Sequence, residues 1–509
     1  MNSIFNILVL FFVTLSSLDS PGQPIQAVLS LTETIPLQDL ADNVLNPESE
    51  RYGVYYSPEE IRSLVAPSDA EYNEMLGFLR ESGFSIVKES KSHLMLVIQG
   101  DHQLFEKVFS AQIQFTGPKK FRNRGEIEIP SQLSRVANIT GLDNTHSYKP
   151  HYKIAAQQYE TSQQPGILPA QIKTAYGMDP LYEQGLSGKD QDIAIAAFMD
   201  FSLQDVLTYY EKVGLSPVPS VEQIIFDGIP AYDNRAAIET ELDSELTAMI
   251  APGANIHVFS SSQNSDAGEL TVFNAILDDN RSKLVNYSWG DCETHVPKQH
   301  RRDMEKVFAR AIAQGINILV ASGDNGSDSC GDSTLSAGWP NINPNVVSVG
   351  GTTLNLSASG FSEIGWWGSG GGVSIFYPRP FWQLSQTPYT KRADPDVAFN
   401  ADPGTGEAIW TQEHTNNVPN WLLVGGTSMA APQWVGFLAL VNEARAEQDL
   451  DALGYLNPLL YKASLSQKKR IFRDITQGSN GAYTAGKGWD AVTGWGTMNG
   501  AALLNYLVQ

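Results

Sequence analysis

The chain has 509 residues and carries 34 Lys and Arg against 56 Asp and Glu, a net charge of −22 and a pI near 4.7. That balance argues against a nucleic-acid partner. It suits a protein that works in acid, where protonation relieves self-repulsion. The length leaves room for a large core and a second, smaller domain.

Residues 4–15 form an apolar run too short to span a bilayer and are followed by small and polar residues. This predicts a signal peptide over residues 1–27, cleaved between Ser17 and Ala27, although its start lacks Lys and Arg. No other stretch approaches ~20 consecutive apolar residues, so no membrane span and a secreted, soluble product are expected. Residues 28–150 have strand and helix patterns of their own, including a helix over 70–83. A Gln- and Pro-containing stretch at 156–169 reads as an exposed linker, placed at 151–167 and suited to proteolytic maturation. From 168 to 509, apolar runs at 192–198, 255–259, 283–289, 317–322 and 346–351 alternate with helical stretches. This predicts an α/β domain with a doubly wound, mostly parallel sheet and helices on both faces. Its binding residues belong on loops beyond the carboxyl ends of the strands, where Ser288, Trp289, Gly290, Asp324 and residues 370–372 fall.

Within that domain, Ile238, Leu242, Leu246, Met249 and Ile250 recur at helical spacing and predict an amphipathic helix. Glu239 and Asp243 are four apart, so both carboxylates project from one face and resist ionising together. Such a pair shares a proton and can accept a hydroxyl proton in acid. Glu241 and Glu245 have the same spacing, and periodicity barely separates the two pairs; solvated charge is the bland reading of either. The run at 317–326 reads as a buried strand followed by a polar loop carrying Asp324. Gly425-Gly426-Thr427-Ser428-Met429-Ala430-Ala431-Pro432 presents a serine where an apolar helix begins. Glycines admit a substrate carbonyl there, and the helix end favours negative charge. Acyl transfer is the implied chemistry, the alternative being a glycine-rich turn capped by Thr427 or Ser428. None of the eight histidines is followed by glycine, so the His-Gly-Thr-His segment that supplies a subtilase base is absent. Cys292 and Cys330 each follow a predicted strand end, and either one disulfide or two buried thiols fits them. Asn138 and Asn355 head glycan sequons that matter only in a eukaryotic secretory path.

The Gly-Thr-Ser-Met-Ala-Ala-Pro string resembles the nucleophile segment of subtilase-clan serine peptidases. Taken with Glu239, Asp243, Asp324 and the segments at 286–290, 347–352, 370–374 and 392–403, the chain resembles the sedolisin family of serine-carboxyl peptidases. The part before the linker resembles the activation domain of kumamolisin-like precursors, an α+β (ferredoxin-like) prodomain ahead of a subtilisin-like catalytic domain. The resemblance implies Ser428 as nucleophile, Glu239 as general base, Asp243 as its partner and a protonated Asp324 as oxyanion donor, with Ser288, Trp289, Gly290 and Gly426 in the substrate cleft. It further implies one structural Ca2+ held by the Asp474 and Asp490 side chains and the Ile475, Gly486 and Gly488 carbonyls. The expected product is a monomeric, self-processed zymogen. Its propeptide blocks the cleft until acid protonates carboxylates between the two parts. Endopeptidase and tripeptidyl-peptidase action both remain open, as do a neutral subtilase using a histidine such as His257 and a silent binding protein.

Overall fold

The computed structural model describes residues 24–156, 164–412 and 420–509. The apolar run at 4–15 and the middle of the expected linker therefore lie outside the described residues.

The first domain is built on the strands Ile25–Leu31, Ser85–Glu89, Met95–Gly100 and Val136–Thr140. They form one antiparallel sheet in which the first strand lies between the third and the fourth. The helices Asp69–Ser82 and His102–Phe109 cross between them, giving the ferredoxin-like order expected. The first strand starts at Ile25 and Ala27 is fully buried, so a cut at residue 27 would sever this sheet; the sheet needs the chain from Ile25 onward. Because side chains alternate across a strand, the sheet serves two cores. Ala27, Leu29, Leu31, Leu96 and Ile98 pack under the domain's own helices, whereas Val28, Met95 and Val97 join Ala267, Leu270 and Val307 of the second domain.

The second domain contains β1 (Asp192–Phe198), β2 (Ser220–Ile225), β3 (Asn255–Ser261), β4 (Leu284–Tyr287), β5 (Asn317–Ala321), β6 (Val347–Ser357), β7 (Gly360–Gly365) and β8 (Val397–Asn400). Their order is β2-β3-β1-β4-β5-β6-β7, with β8 also on β6; only the β6–β7 pairing is antiparallel. Alternation again sets the layers: Ile193 and Ile195 of β1 face one core and Ala194 and Ala196 the other. Helices α1 (Asn234–Ile250) and α4 (Thr427–Ala446) cover one face, and α2 (Asp266–Asp279) and α3 (Lys298–Ala313) the other. This is the doubly wound subtilisin-like architecture expected.

One expectation fails. Helix α1 is not amphipathic: every residue from Ala236 to Ile250 is buried, Glu239, Glu241, Asp243 and Glu245 included. It is wedged between α4, the sheet and the Leu203–Val213 helix, so it has no solvated face. The periodic apolar positions mark only part of a surface that is enclosed all round.

Candidate active site

Helix α1 brings Glu239 and Asp243 to the start of α4. The Ser428 hydroxyl donates to Glu239 Oε2 at 2.9 Å and also lies 3.3 Å from the Ser288 carbonyl oxygen. Asp243 does not touch Ser428. Its Oδ1 accepts from the Ser288 hydroxyl at 2.7 Å, and Ser288 in turn accepts from Asn286 Nδ2 at 3.1 Å. Glu239 Oε1 and Asp243 Oδ2 are both buried without a hydrogen-bond partner. Burial, and then the charge of Asp243, push the Glu239 carboxyl well above its ordinary range; burial does the same to Asp243 against the hydrogen bonds from Ser288 and Asn286. An ionised carboxylate without a counter-charge at such depth is costly, so the pair holds at least one proton.

Asp324, just past β5, is fixed by the first residue of α4. Its Oδ1 accepts from the Thr427 backbone N–H at 2.7 Å and the Thr427 hydroxyl at 3.0 Å, and that hydroxyl accepts from the Gly323 N–H at 2.9 Å. Thr427 therefore anchors Asp324 rather than capping its own helix; the cap position is Gly426, with no side-chain hydrogen bond. Asp324 Oδ2 is buried and unpartnered, and burial raises the carboxyl to about 7. Gly426 sits at φ +100, and a Cβ there would fall within 2.6 Å of Asp324 Oδ2 and also strike the His151 carbonyl oxygen. Only glycine leaves the space between them open.

The other three residues expected in the cleft act through their backbones. Ser288 is fully buried with its side chain turned to Asp243, and Trp289 packs edge-on against Phe198 at 5.3 Å in the core. What faces the cleft is the strand Trp289–Cys292, where Trp289 pairs with Pro150 and Gly290 with Lys149 while Asp291 and Cys292 pair with Trp339 and Gly338 on its other side. The chain following the prodomain thus lies in the cleft, and the first residues of the expected linker are hydrogen-bonded to the catalytic domain, with Ile154 still 38% exposed. On the far side Lys153 and Ile154 pair with Gly425 and Val424. The sequence carried no periodic signal for this segment, because strands of two residues are too short to show one.

Among the described residues, no histidine replaces the missing base. His257 is engaged by Glu222 at 2.7 Å and Asp192 at 2.8 Å, and the Ser428 hydroxyl bonds to no imidazole among the described residues. Cys292 and Cys330 form a disulfide closing a separation of 38 residues, which stabilises the fold by about 4 kcal/mol in the loop-entropy picture and ties two loops beside the cleft.

Farther along, Asp474 accepts from the Gly488 N–H through both oxygens at 3.1 Å, and Asp490 Oδ2 accepts from the Gly486 N–H at 3.0 Å. Two carboxylates thus grip one glycine-rich loop from opposite ends. The carbonyls of Ile475, Gly486 and Gly488 accept no hydrogen bond from a described residue, and Asp490 is buried with no ion pair among the described residues. An all-oxygen set with free carbonyls fits a hard divalent cation such as Ca2+.

Residues 16–145 match the pro-kumamolisin activation domain and residues 235–496 the subtilase family. Sedolisin from Pseudomonas sp. (strain 101) is 29% identical, with 94% of this chain and 86% of that one covered. Kumamolisin from Bacillus sp. (strain MN-32) is 29% identical over 86% of this chain and 83% of its own. The solved Pseudomonas sedolisin, a serine-carboxyl proteinase complexed with two molecules of pseudo-iodotyrostatin, is 31% identical with a TM-score of 0.61, covering 68% of this chain and 98% of that one. The chain belongs to the sedolisin family of serine-carboxyl peptidases. It is a hydrolase of subtilisin-like fold carrying an activation prodomain. No helix among its described residues is long and apolar enough to cross a membrane.

Proposed function

We propose that this sedolisin-family chain is a secreted, acid-active endopeptidase that hydrolyses peptide bonds through an acyl-enzyme on Ser428. The observation that carries the reading is the 2.9 Å hydrogen bond from the Ser428 hydroxyl to Glu239 Oε2, at a carboxylate whose neighbour Asp243 shares its burial. Glu239 takes the hydroxyl proton as Ser428 attacks the carbonyl carbon and returns it to the departing amine. In the second half of the reaction a water replaces the serine, with Glu239 again accepting the proton. Asp243, held by the Ser288 hydroxyl, raises the proton affinity of Glu239 through its charge and so favours the proton's transfer from Ser428. The developing oxyanion receives the Ser428 backbone N–H and, from a protonated Asp324, an O–H. Ca2+, held by Asp474, Asp490 and the carbonyls of Ile475, Gly486 and Gly488, would stabilise the loop it closes.

Endopeptidase rather than tripeptidyl-peptidase action is favoured because the chain in the cleft continues past Lys149 into Tyr148 and the prodomain. The cleft therefore admits a substrate with no free amine at that point.

Part of the acid response lies in the site itself. Against their burial, hydrogen bonds to Asp266 and Asp291 raise the prodomain-side His146 to about 10, and Asp291 is held at about 2. These groups keep their charges from neutral pH down through mild acid. Asp303, which accepts from Asn138, is raised by burial, so acid removes a cost of docking instead of imposing one. Asp324 is different: with its pKa near 7 it becomes a donor as pH falls through neutrality. Incubating the full-length protein between pH 3 and 7 and following its mass tests the reading. The wild type should process in acid, while Ser428→Ala and Glu239→Gln should stay intact; equal processing of Glu239→Gln would remove it as the base.

A further inference from the structure

We infer that the catalytic domain carries a subsite built for a tyrosine side chain, floored by Glu269 and His300, which reads the fourth residue on the amino side of the bond facing Ser428. The inference rests on the reading of Ser428 as nucleophile and names a substrate class for that site. The register comes from the segment that pairs with the cleft. The His151 N–H donates to the Ser288 carbonyl at 3.0 Å and the Ser428 N–H donates to the His151 carbonyl oxygen at 2.9 Å, so His151 stands in the first position. Pro150 and Lys149 pair with Trp289 and Gly290, and Tyr148 is then the fourth.

Asn264 holds the backbone at that point. Its Oδ1 accepts from the Tyr148 N–H at 2.8 Å and its Nδ2 donates to the Tyr148 carbonyl at 2.9 Å. Any residue but proline can use this clasp, so Asn264 fixes position and the side chain is read deeper in. Tyr148 is 2% exposed, and its ring stacks against Phe198 at 5.8 Å. Its hydroxyl lies 2.8 Å from both Asp266 Oδ1 and Glu269 Oε2 and 3.0 Å from His300 Nε2. A hydroxyl has one proton to give and lone pairs to receive, which matches carboxylate oxygens beside an imidazole.

The floor of the subsite is ordered without Tyr148. Glu269 is fully buried, meets His300 Nε2 at 2.6 Å, and accepts from the Tyr287 hydroxyl at 3.1 Å and Trp339 Nε1 at 3.3 Å. All these partners belong to the catalytic domain and stay when the prodomain segment leaves, so the site is organised before a substrate arrives. Phenylalanine would seal the same polar atoms away from water without giving them a donor. Against its burial, Asp266 and Glu269 raise the His300 imidazole, which sets a cation where a lysine head would come. The same two acids repel a glutamate. Two residues farther upstream, His146 bridges Asp266 Oδ1 at 2.6 Å and Asp291 Oδ2 at 3.1 Å, so a basic side chain fits the sixth position. A substrate with only three residues before the bond would leave both positions empty.

The test uses the processed enzyme at pH 4 and a decapeptide of the sequence 145–154, unchanged or carrying Tyr148→Phe, Tyr148→Ala or Tyr148→Glu. The bond cut in each is read by mass, and hydrolysis of unfolded albumin is assayed in parallel. We expect kcat/KM to fall about tenfold for Tyr148→Phe and about a hundredfold for Tyr148→Ala, with Tyr148→Glu lower still. In the enzyme, Asn264→Ala should lower kcat/KM for the Tyr and Phe peptides by the same factor, because it loses only the backbone clasp. Glu269→Gln should bring the ratio between those two peptides below about threefold. The peptide series on the wild-type enzyme decides the matter if Glu269→Gln does not fold. Equal kcat/KM for the Tyr, Phe and Ala peptides, or a cut that places tyrosine anywhere but fourth, would overturn the subsite while albumin hydrolysis left the peptidase reading standing. Failure to hydrolyse albumin would bring down that reading and the subsite with it.

Discussion

Helix α1 carries two carboxylate pairs at the same spacing and the same depth, and they do different things. Glu239 and Asp243 accept from the hydroxyls of Ser428 and Ser288, whereas Glu241 and Glu245 accept from the backbone N–H groups of Ser202 and Trp410, at 3.0 and 2.9 Å. Burial raises the carboxyls of Glu239, Asp243 and Glu245 alike. The difference lies in the donors: a hydroxyl gives up its proton to a base at accessible cost, and an amide does not. Position on the helix, about 200° apart for Glu239 and Glu241 at 100° per residue, decides which kind of donor each pair meets. A buried acidic pair is therefore not by itself a catalytic one.

The sharpest way to break this comparison is to neutralise one carboxylate on each face. Glu239→Gln should lower kcat at pH 4 by about 10³-fold, whereas Glu245→Gln, which keeps an acceptor for the Trp410 N–H, should leave kcat within about twofold. Comparable losses from both would erase the distinction. Next in size, Asp324→Ala should cost about 10²-fold in kcat through the lost oxyanion donor. Asp324→Asn keeps acceptors for Thr427 and a donor that needs no acid. Wild-type activity supported by protonated Asp324 is present below its pKa near 7 and lost above it; in Asp324→Asn that upper limb should move to higher pH. Identical pH profiles would take Asp324 out of the chemistry.

The smallest effect is on stability. Burial raises Asp394 to about 6, Asp324 to about 7 and Glu407 to about 8. Carboxyls raised in this way bind more protons folded than unfolded, so stability is greatest near pH 4 and falls as pH rises toward 8, by at most about 1.4 kcal/mol per pH unit for each group. Thermal melts of Ser428→Ala, which cannot digest itself, should give a higher Tm at pH 4.5 than at pH 8. A higher Tm at pH 8 would mean that these carboxyls do not share the proton-rich state assigned to the reactive pair.

Much of this could be read beforehand. Ser428 stands out because glycines and small residues precede a helix start; Glu239 and Asp243 share their spacing with Glu241 and Glu245, and only the family resemblance singled them out. Neither the complete enclosure of α1 nor the hydrogen bond from Ser288 to Asp243 could be read, since both depend on packing by α4 and β4, which are distant in the chain. Trp289 was expected in the cleft from its loop position, yet its ring fills the core against Phe198 and only its backbone pairs with the segment at 149–150.

What the amino-acid order determined by itself is the alternation of strands and helices, the split into prodomain and catalytic domain, and the serine at the start of an apolar helix, because periodicity and motif spacing are local properties. The tertiary structure alone decided which carboxylates lose water, which hydroxyls reach them and which peptide bond lies on Ser428. Desolvation and hydrogen-bond geometry arise only when elements far apart in sequence close around the same few atoms.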